Sequence, residues 1–201
     1  MRLPCLLQPG ILKEAIKAIF KGPYTTKFPF KPHEPFERFR GKPEFHAEDC
    51  IGCGACFQVC PAKAIEMKDI GNKRILTVHW DLCIFCGNCQ ANCLTEKGIV
   101  LSKEFDLATT EKREDLYQSI EKELIQCSFC KENIAPSAQL AWVAKKLGTM
   151  VFSNTSLMLF YLAEENLTEI KGLPDKETPT LRSDRFRILC PKCRREAVLK
   201  S

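Results

Sequence analysis

Cys50-Ile51-Gly52-Cys53-Gly54-Ala55-Cys56-Phe57-Gln58-Val59-Cys60-Pro61 and Cys83-Ile84-Phe85-Cys86-Gly87-Asn88-Cys89-Gln90-Ala91-Asn92-Cys93 carry one cysteine spacing twice, 33 residues apart. In a C-x2-C-x2-C-x3-C run, three close thiolates grip one 4Fe–4S cluster while the fourth reaches the neighbouring cluster. Cys50, Cys53, Cys56 and Cys93 are therefore expected to hold one cluster, and Cys83, Cys86, Cys89 and Cys60 the other. Crossed ligation ties the two halves together and keeps the clusters close, as electron hopping through protein requires. A chain built this way carries electrons.

Two other uses of cysteine compete with this reading. A disulfide framework needs an oxidising compartment, yet Met1-Arg2-Leu3-Pro4 leads into no uninterrupted apolar segment, and Pro9-Gly10 breaks the short apolar start. No export signal is expected. Zinc knuckles use pairs of C-x2-C, whereas each copy here is a triplet followed by a fourth cysteine.

Thirteen cysteines in 201 residues are far above ordinary usage, although 45% apolar and 27% charged residues are normal for a globular chain. The formal charge of +5 counts thiols as neutral. An oxidised cubane with four thiolates carries −2, so two such sites bring the balance to about +1, and a four-cysteine Zn²⁺ site to about −1. The basic excess is matched by the cofactors it surrounds, which argues against a nucleic-acid partner. No stretch of 18 or more apolar residues is present, so attachment to a membrane is expected to be peripheral or through partner subunits.

The predicted fold is α+β: a two-cluster, bacterial ferredoxin-like core, preceded by an amphipathic helix and arm and followed by a small four-cysteine, metal-binding α/β extension. The expected segments are 1–45, 46–105 and 106–201. In the first, Ile11, Leu12, Ala15, Ile16 and Ile19 form one stripe of a helix over 11–20, and Lys21-Gly22-Pro23 supplies its stop. Five prolines between 23 and 44 make the following segment an extended arm. A helix at the end of an arm is expected to dock on a partner or membrane surface. Arg38, Arg40 and Lys42 lie in that arm, available to an acidic patch on a partner.

Within 46–105, strands are expected at 65–67 and 74–80 around a Gly71-Asn72 turn, with short helical turns after each fourth cysteine and apolar strand starts at Ile65 and Ile99. Beyond it, Thr109 and Thr110 cap a predicted helix to residue 125, with Leu116, Ile120 and Leu124 at i+4. A second helix is predicted over 137–147, with Leu140, Ala141, Ala144 and Leu147 inward. A strand is predicted over 149–153, an apolar helix over 157–165 and an exposed loop over 171–184.

Cys127-Ser128-Phe129-Cys130 and Cys190-Pro191-Lys192-Cys193 are two further C-x2-C pairs, separated by 59 residues. A closed four-thiolate site suits structural Zn²⁺, with a single rubredoxin-like iron as the alternative and a third cluster or no metal behind it. Cys5 is left over as a small apolar contact. His33, His46 and His79 share no ligand spacing. No nucleophile–base set, phosphate loop or substrate pocket is legible, so no catalytic residue is assigned.

Phe39-Arg40-Gly41-Lys42-Pro43-Glu44, Cys50-Ile51-Gly52-Cys53 and Asp81-Leu82-Cys83-Ile84-Phe85-Cys86-Gly87, with Cys127/Cys130 and the late Cys190/Cys193 pair, resemble the eight-iron ferredoxin-like subunit of respiratory complex I and of membrane-bound nickel–iron hydrogenases. The likeness is greatest to the corresponding subunit of formate hydrogenlyase and hydrogenase-4 complexes, since complex I's equivalent generally lacks the four-cysteine tail. The resemblance implies a peripheral subunit on the cytoplasmic face of the cell membrane. It would pass electrons between an electron-input subunit or ferredoxin and the hydrogenase small subunit beside the large one, with its N-terminal helix near the membrane arm. Leu94 departs from that pattern, standing where the second copy usually has proline, and Lys97-Gly98 adds one residue before Ile99; an altered turn and a shifted potential are expected there. The competing reading is a soluble two-cluster ferredoxin that diffuses between partners. Such a shuttle does not need a 45-residue leader and a metal-braced tail.

Overall fold

The computed structural model describes residues 9–22, 25–110, 113–168 and 182–199. The expectations for Cys5, for Pro23, for residue 111 and for 171–181 fall outside these. The chain divides into two compact units, residues 1–39 and 40–201.

In the first unit, α1 (Pro9–Lys21) begins on a proline, whose missing N–H costs nothing in a first turn. It ends where the Gly22 N–H returns to the Ala18 carbonyl at 2.9 Å. None of its residues is buried, and Ile19 and Phe20 are 79% and 85% exposed. Residues 25–39 form turns and bends without helix or strand, as the prolines require.

The second unit starts with β1 (Pro43–Phe45), followed by α2 (Ala55–Gln58), the hairpin β2 (Ile65–Ile70) and β3 (Lys73–His79), α3 (Asn88–Ala91) and β4 (Ile99–Leu101). The Gly71-Asn72 turn joins β2 to β3 in the expected register, with Ile65 opposite Val78. β1 and β4 pair antiparallel, Phe45 opposite Ile99. The two helical turns lie before each fourth cysteine, not after it. Gly54 (φ 76°) and Gly87 (φ 81°) precede them in the left-handed conformation that glycine adopts without strain, and each turn carries the third cysteine of its copy.

After a 3-10 turn at Arg113–Leu116, β5 (Tyr117–Gln126) and β6 (Asn133–Pro136) join the hairpin in one antiparallel sheet of order β2-β3-β5-β6. The helix predicted to residue 125 is thus a strand. Its signal, Leu116, Ile120 and Leu124 four apart, satisfies a period of two as well as one of 3.6. Ile120 and Leu124 are buried while Ser119, Glu121 and Glu123 face water, an alternation that a helix would not show. Leu76 sits opposite Ile120, so the residues expected to open a separate C-terminal domain complete the sheet of the cysteine core. Gln118 extends the link: its side-chain carbonyl accepts the Phe45 N–H at 2.7 Å and its amide donates to the Phe45 carbonyl at 3.1 Å, pinning β1.

α4 (Ser137–Leu147) and α5 (Thr155–Glu164) match the predicted helices, with Asn154 capping α5 through the Ser156 and Leu157 N–H groups. Ala144 points inward as expected, but Leu147 is 39% exposed at the end of its helix. Residues Gly148–Ser153 form a 3-10 turn in place of the predicted strand, burying Val151. Asp184, expected in an exposed loop, is buried against Arg187. α6 (Pro191–Leu199) closes the chain.

One apolar cluster joins Phe45, Ile65, Leu76, Val78, Ile99 and Ile120 to Cys50, Cys56 and Cys89. Leu76 and Val78 are 1% and 0% exposed, and burying each contributes about 1.5–3 kcal/mol. The sheet therefore presses its core side chains directly against the cysteine loops. A second cluster gathers Cys127, Phe129, Leu189, Cys190, Cys193 and Ala197.

Candidate metal centres

Two cavities open over the sheet, and each takes cysteines from both copies. Cys50, Cys53, Cys56 and Cys93 line one, together with Phe45, Ile51, Leu76 and Ile99. Cys60, Cys83, Cys86 and Cys89 line the other, with Ile65, Val78, Ile84 and Leu101. These are the two sets expected from the spacing, with the fourth cysteine of each copy carried across to the other's cavity. The left-handed glycines account for the close grouping of the first three: each turns the chain into a helix directly after the second cysteine, so the third points back to the same centre. Cys56 and Cys89 lie near enough for their charges to interact, which places the two cavities side by side.

The donor chemistry fits iron–sulfur clusters. The linings offer four sulfurs each and little other polar matter, and burial works against empty thiolates. It pushes the Cys56 thiol up to about 12, reinforced by the neighbouring charges of Cys50 and Cys53. It pushes Cys89 up to about 11, with Cys83 and Cys86 adding to the effect, and raises Cys50 and Cys83 as well. Four thiolates in such a space need a cationic core to hold them, and its binding releases their protons. Backbone donors are aimed at the sulfurs: the Phe85 N–H at Cys83 Sγ (3.4 Å) and the Ala64 N–H at Cys60 Sγ (3.3 Å).

Cys93 is different. Burial would raise it, but the Thr95 hydroxyl, 3.4 Å away, and the N–H groups of Thr95, Ile99 and Gly98 outweigh that and hold its thiol below the ordinary range. This is the turn where Leu94 replaces proline and one residue is added. The extra length lets Thr95–Gly98 wrap the sulfur. A Cβ on Gly98 would stand 2.9 Å from Thr95 Oγ1 and 3.0 Å from Cys50 Cα, so only glycine closes the wrap. The altered turn follows Cys89 in sequence, yet it serves the cavity of the first triplet. Ligand spacing alone does not single out Thr95 and Gly98, although the missing proline marks their position.

The C-terminal set also assembles. Cys127 and Cys130 lie in the turn between β5 and β6; Cys190 precedes α6 and Cys193 sits in its first turn. Their sulfurs all fall within 4.8 Å of one another, and Cys130 Sγ is 3.6 Å from Cys190 Sγ. Four sulfurs at ~2.3 Å from one ion stand about 3.8 Å apart in a tetrahedron. The spacing suits a single ion, and among the described residues no other group of ligands is so tight. Burial raises Cys127, but the N–H groups of Cys190, Cys130 and Phe129 bring its thiol down to about 7. Cys190 and Cys193 are pushed up by burial and by their neighbours. The Ser128 N–H donates to the Ile188 carbonyl at 2.9 Å, joining the two knuckles across the 59 intervening residues. Arg187, paired with Asp184, lies 4.9 Å over the Phe129 ring and braces the same junction.

Of the histidines in this unit, His46 meets the first cysteine loop through its backbone, its carbonyl accepting the Cys50 N–H, and His79 lies 4.0 Å from Glu66.

The sequence matches a 4Fe-4S dicluster domain family over residues 34–97. It is 30% identical over 108 residues to NAD(P)H-quinone oxidoreductase subunit I of Gloeobacter violaceus, covering 49% of this chain and 50% of that one. It is 35% identical over 128 residues to formate hydrogenlyase subunit 6 of Escherichia coli, covering 62% and 69%. With NADH-quinone oxidoreductase subunit I 2 of Geobacter metallireducens it shares 34% identity over 114 residues, covering 52% and 86%. The chain thus spans half the length of the first of these relatives and about two thirds of the second.

Proposed function

Since the chain belongs to the family of iron–sulfur subunits that includes formate hydrogenlyase subunit 6 and NADH-quinone oxidoreductase subunit I, we propose that it is the electron wire of a membrane-bound, hydrogenase-type complex. Cys50, Cys53, Cys56 and Cys93 hold the first 4Fe–4S cluster, and Cys83, Cys86, Cys89 and Cys60 the second. The clusters accept and pass single electrons; the protein excludes water around them and sets their potentials through aimed N–H groups and nearby charge. Electrons run between an electron-input subunit or ferredoxin and the small subunit of the hydrogenase module. Cys127, Cys130, Cys190 and Cys193 hold one structural ion, zinc in the first instance, which fastens the C-terminal helices to the sheet that carries the clusters.

The observation that carries this reading is the exchange of fourth cysteines between two adjoining, apolar cavities. Family membership favours a subunit over a freely diffusing ferredoxin, and the exposed apolar residues of α1 offer the contact to the membrane arm. No described helix is long and apolar enough to cross a membrane, so attachment at the cytoplasmic face runs through partners. The test is affinity purification of the tagged chain from detergent-solubilised membranes without oxygen. The expected result is co-purification with the small and large subunits of a nickel–iron enzyme, with clusters that reoxidise in step with that enzyme's turnover. Recovery of the tagged chain alone, in the soluble fraction, turning over with soluble donors, would overturn it.

A further inference from the structure

The two cysteine loops are near copies, but the groups placed against them differ in charge. Over Gly54, in the first loop, stands the neutral thioether of Met67: a Cβ there would meet its Sδ at 2.8 Å. Over Gly87, the equivalent position of the second loop, stand the Leu101 side chain and, just beyond it, a guanidinium: a Cβ there would lie 3.3 Å from Leu101 Cδ1 and 3.8 Å from Arg40 Nε. Arg40 Nη1 donates to the Cys86 carbonyl at 3.0 Å, which seats the cation on a ligand of the second cavity. No described carboxylate pairs with it. The first loop also has an arginine, because Arg74 Nη1 donates to the Gly52 carbonyl at 3.2 Å. That charge is answered by Asp69, whose two oxygens accept from Arg74 Nε and Nη2 at 2.8 and 2.9 Å. The arginine of the first loop is therefore neutralised and that of the second is bare, while the first loop also has Lys122, whose ammonium donates to the Ala47 carbonyl and whose charge reaches Cys50.

We infer that Arg40 is a tuning residue of the second cluster, its uncompensated charge raising that cluster's reduction potential and leaving the first cluster's unchanged. The inference rests on the two-cluster reading above. Reduction adds one electron, supplied in the complex by the input subunit and in a titration by dithionite, and it takes the core from 2+ to 1+ with no bond made or broken. A cation beside the ligand loop favours the added negative charge. Arg40 is exposed, so its influence is screened by salt: the Debye length falls from about 10 Å at 0.1 M to about 3 Å at 1 M. The donors around Cys93 act on the first cluster in the same sense. Arg40 shifts the second couple whatever the order of the two potentials.

The experiment is a potentiometric titration of the full-length holoprotein followed by electron paramagnetic resonance, with each couple assigned through Cys53→Ser and Cys86→Ser exchanges. Arg40→Gln keeps a donor and removes the charge, and it is expected to lower the second couple alone. Arg40→Lys is expected to restore it, which a purely structural role for the guanidinium would not allow. Asp69→Asn, which uncovers Arg74, is expected to raise the first couple. In the wild type, high salt should lower the second couple towards its value in Arg40→Gln. If Arg40→Gln loses the second cluster, the Asp69→Asn and salt arms still decide. Clusters present with unmoved potentials would overturn the inference, as would a shift confined to the first couple. Absence of clusters from the wild type would overturn the two-cluster reading itself.

Discussion

Cys60→Ala is expected to remove the cluster bounded by Cys83, Cys86 and Cys89 and to spare the one built on Cys60's own sequence neighbours. Iron content should fall by about four atoms of about eight, and the surviving paramagnetic signal should lose its coupling to a second centre. Cys60 lines the cavity of the second triplet, the Ala64 N–H is aimed at its sulfur at 3.3 Å, and Cys83 feels its charge. Cys50, Cys53, Cys56 and Cys93 remain a complete set when Cys60 is gone. Loss of the first cluster instead, in a protein that still holds the second, would show the ligand exchange to be wrong.

The second large effect is expected at the opposite end of the chain. Cys190→Ala should release the single ion and unfasten α6 and the helices packed with it, while both cluster signals persist. The four sulfurs form a closed set, and three of them, on Cys127, Cys190 and Cys193, are buried. Structural Zn²⁺ sites of this kind contribute an apparent ~10–16 kcal/mol of binding free energy at neutral pH. One missing thiolate forfeits much of that and leaves two buried thiols facing a gap. Metal analysis should show one ion fewer per chain, and limited proteolysis should cut first between residues 127 and 199. Binding must displace protons from thiols that burial holds up, Cys193 above all. A chelator should therefore strip the site faster as the pH falls. An unchanged metal count, or loss of the cubanes together with the ion, would contradict this account.

The cysteines made most of this protein legible. Triplet-plus-one spacing in duplicate announced which four cysteines gather at each cavity, because the reach of a thiol is set by local geometry that a short motif fixes. The hairpin at Gly71-Asn72 was readable from turn chemistry, and the helices predicted over 137–147 and 157–165 from apolar patterning, although the Asn154 cap that starts the second at Thr155 was not. What stayed hidden depended on contacts distant in sequence. β5 looks helical because Ile120 and Leu124 fit either period, and only pairing with β3 decides between them. Its place in the sheet also carries residues beyond 105 into the sheet of the cysteine core, a pairing no local pattern announces. Asp184 reads as loop polarity until Arg187 is found beside it. Arg40 reads as one of several basic residues on an arm. Its meaning comes from Cys86, forty-six residues on.

The proposed electron-wire function requires paired cubanes with exchanged anchors, and iron analysis of an oxygen-free preparation, combined with spectra of the reduced protein, tests that most directly. The expected result is about eight cluster irons per chain and two magnetically interacting centres on reduction. A colourless protein whose eight core cysteines are free or bridged to one another would contradict it.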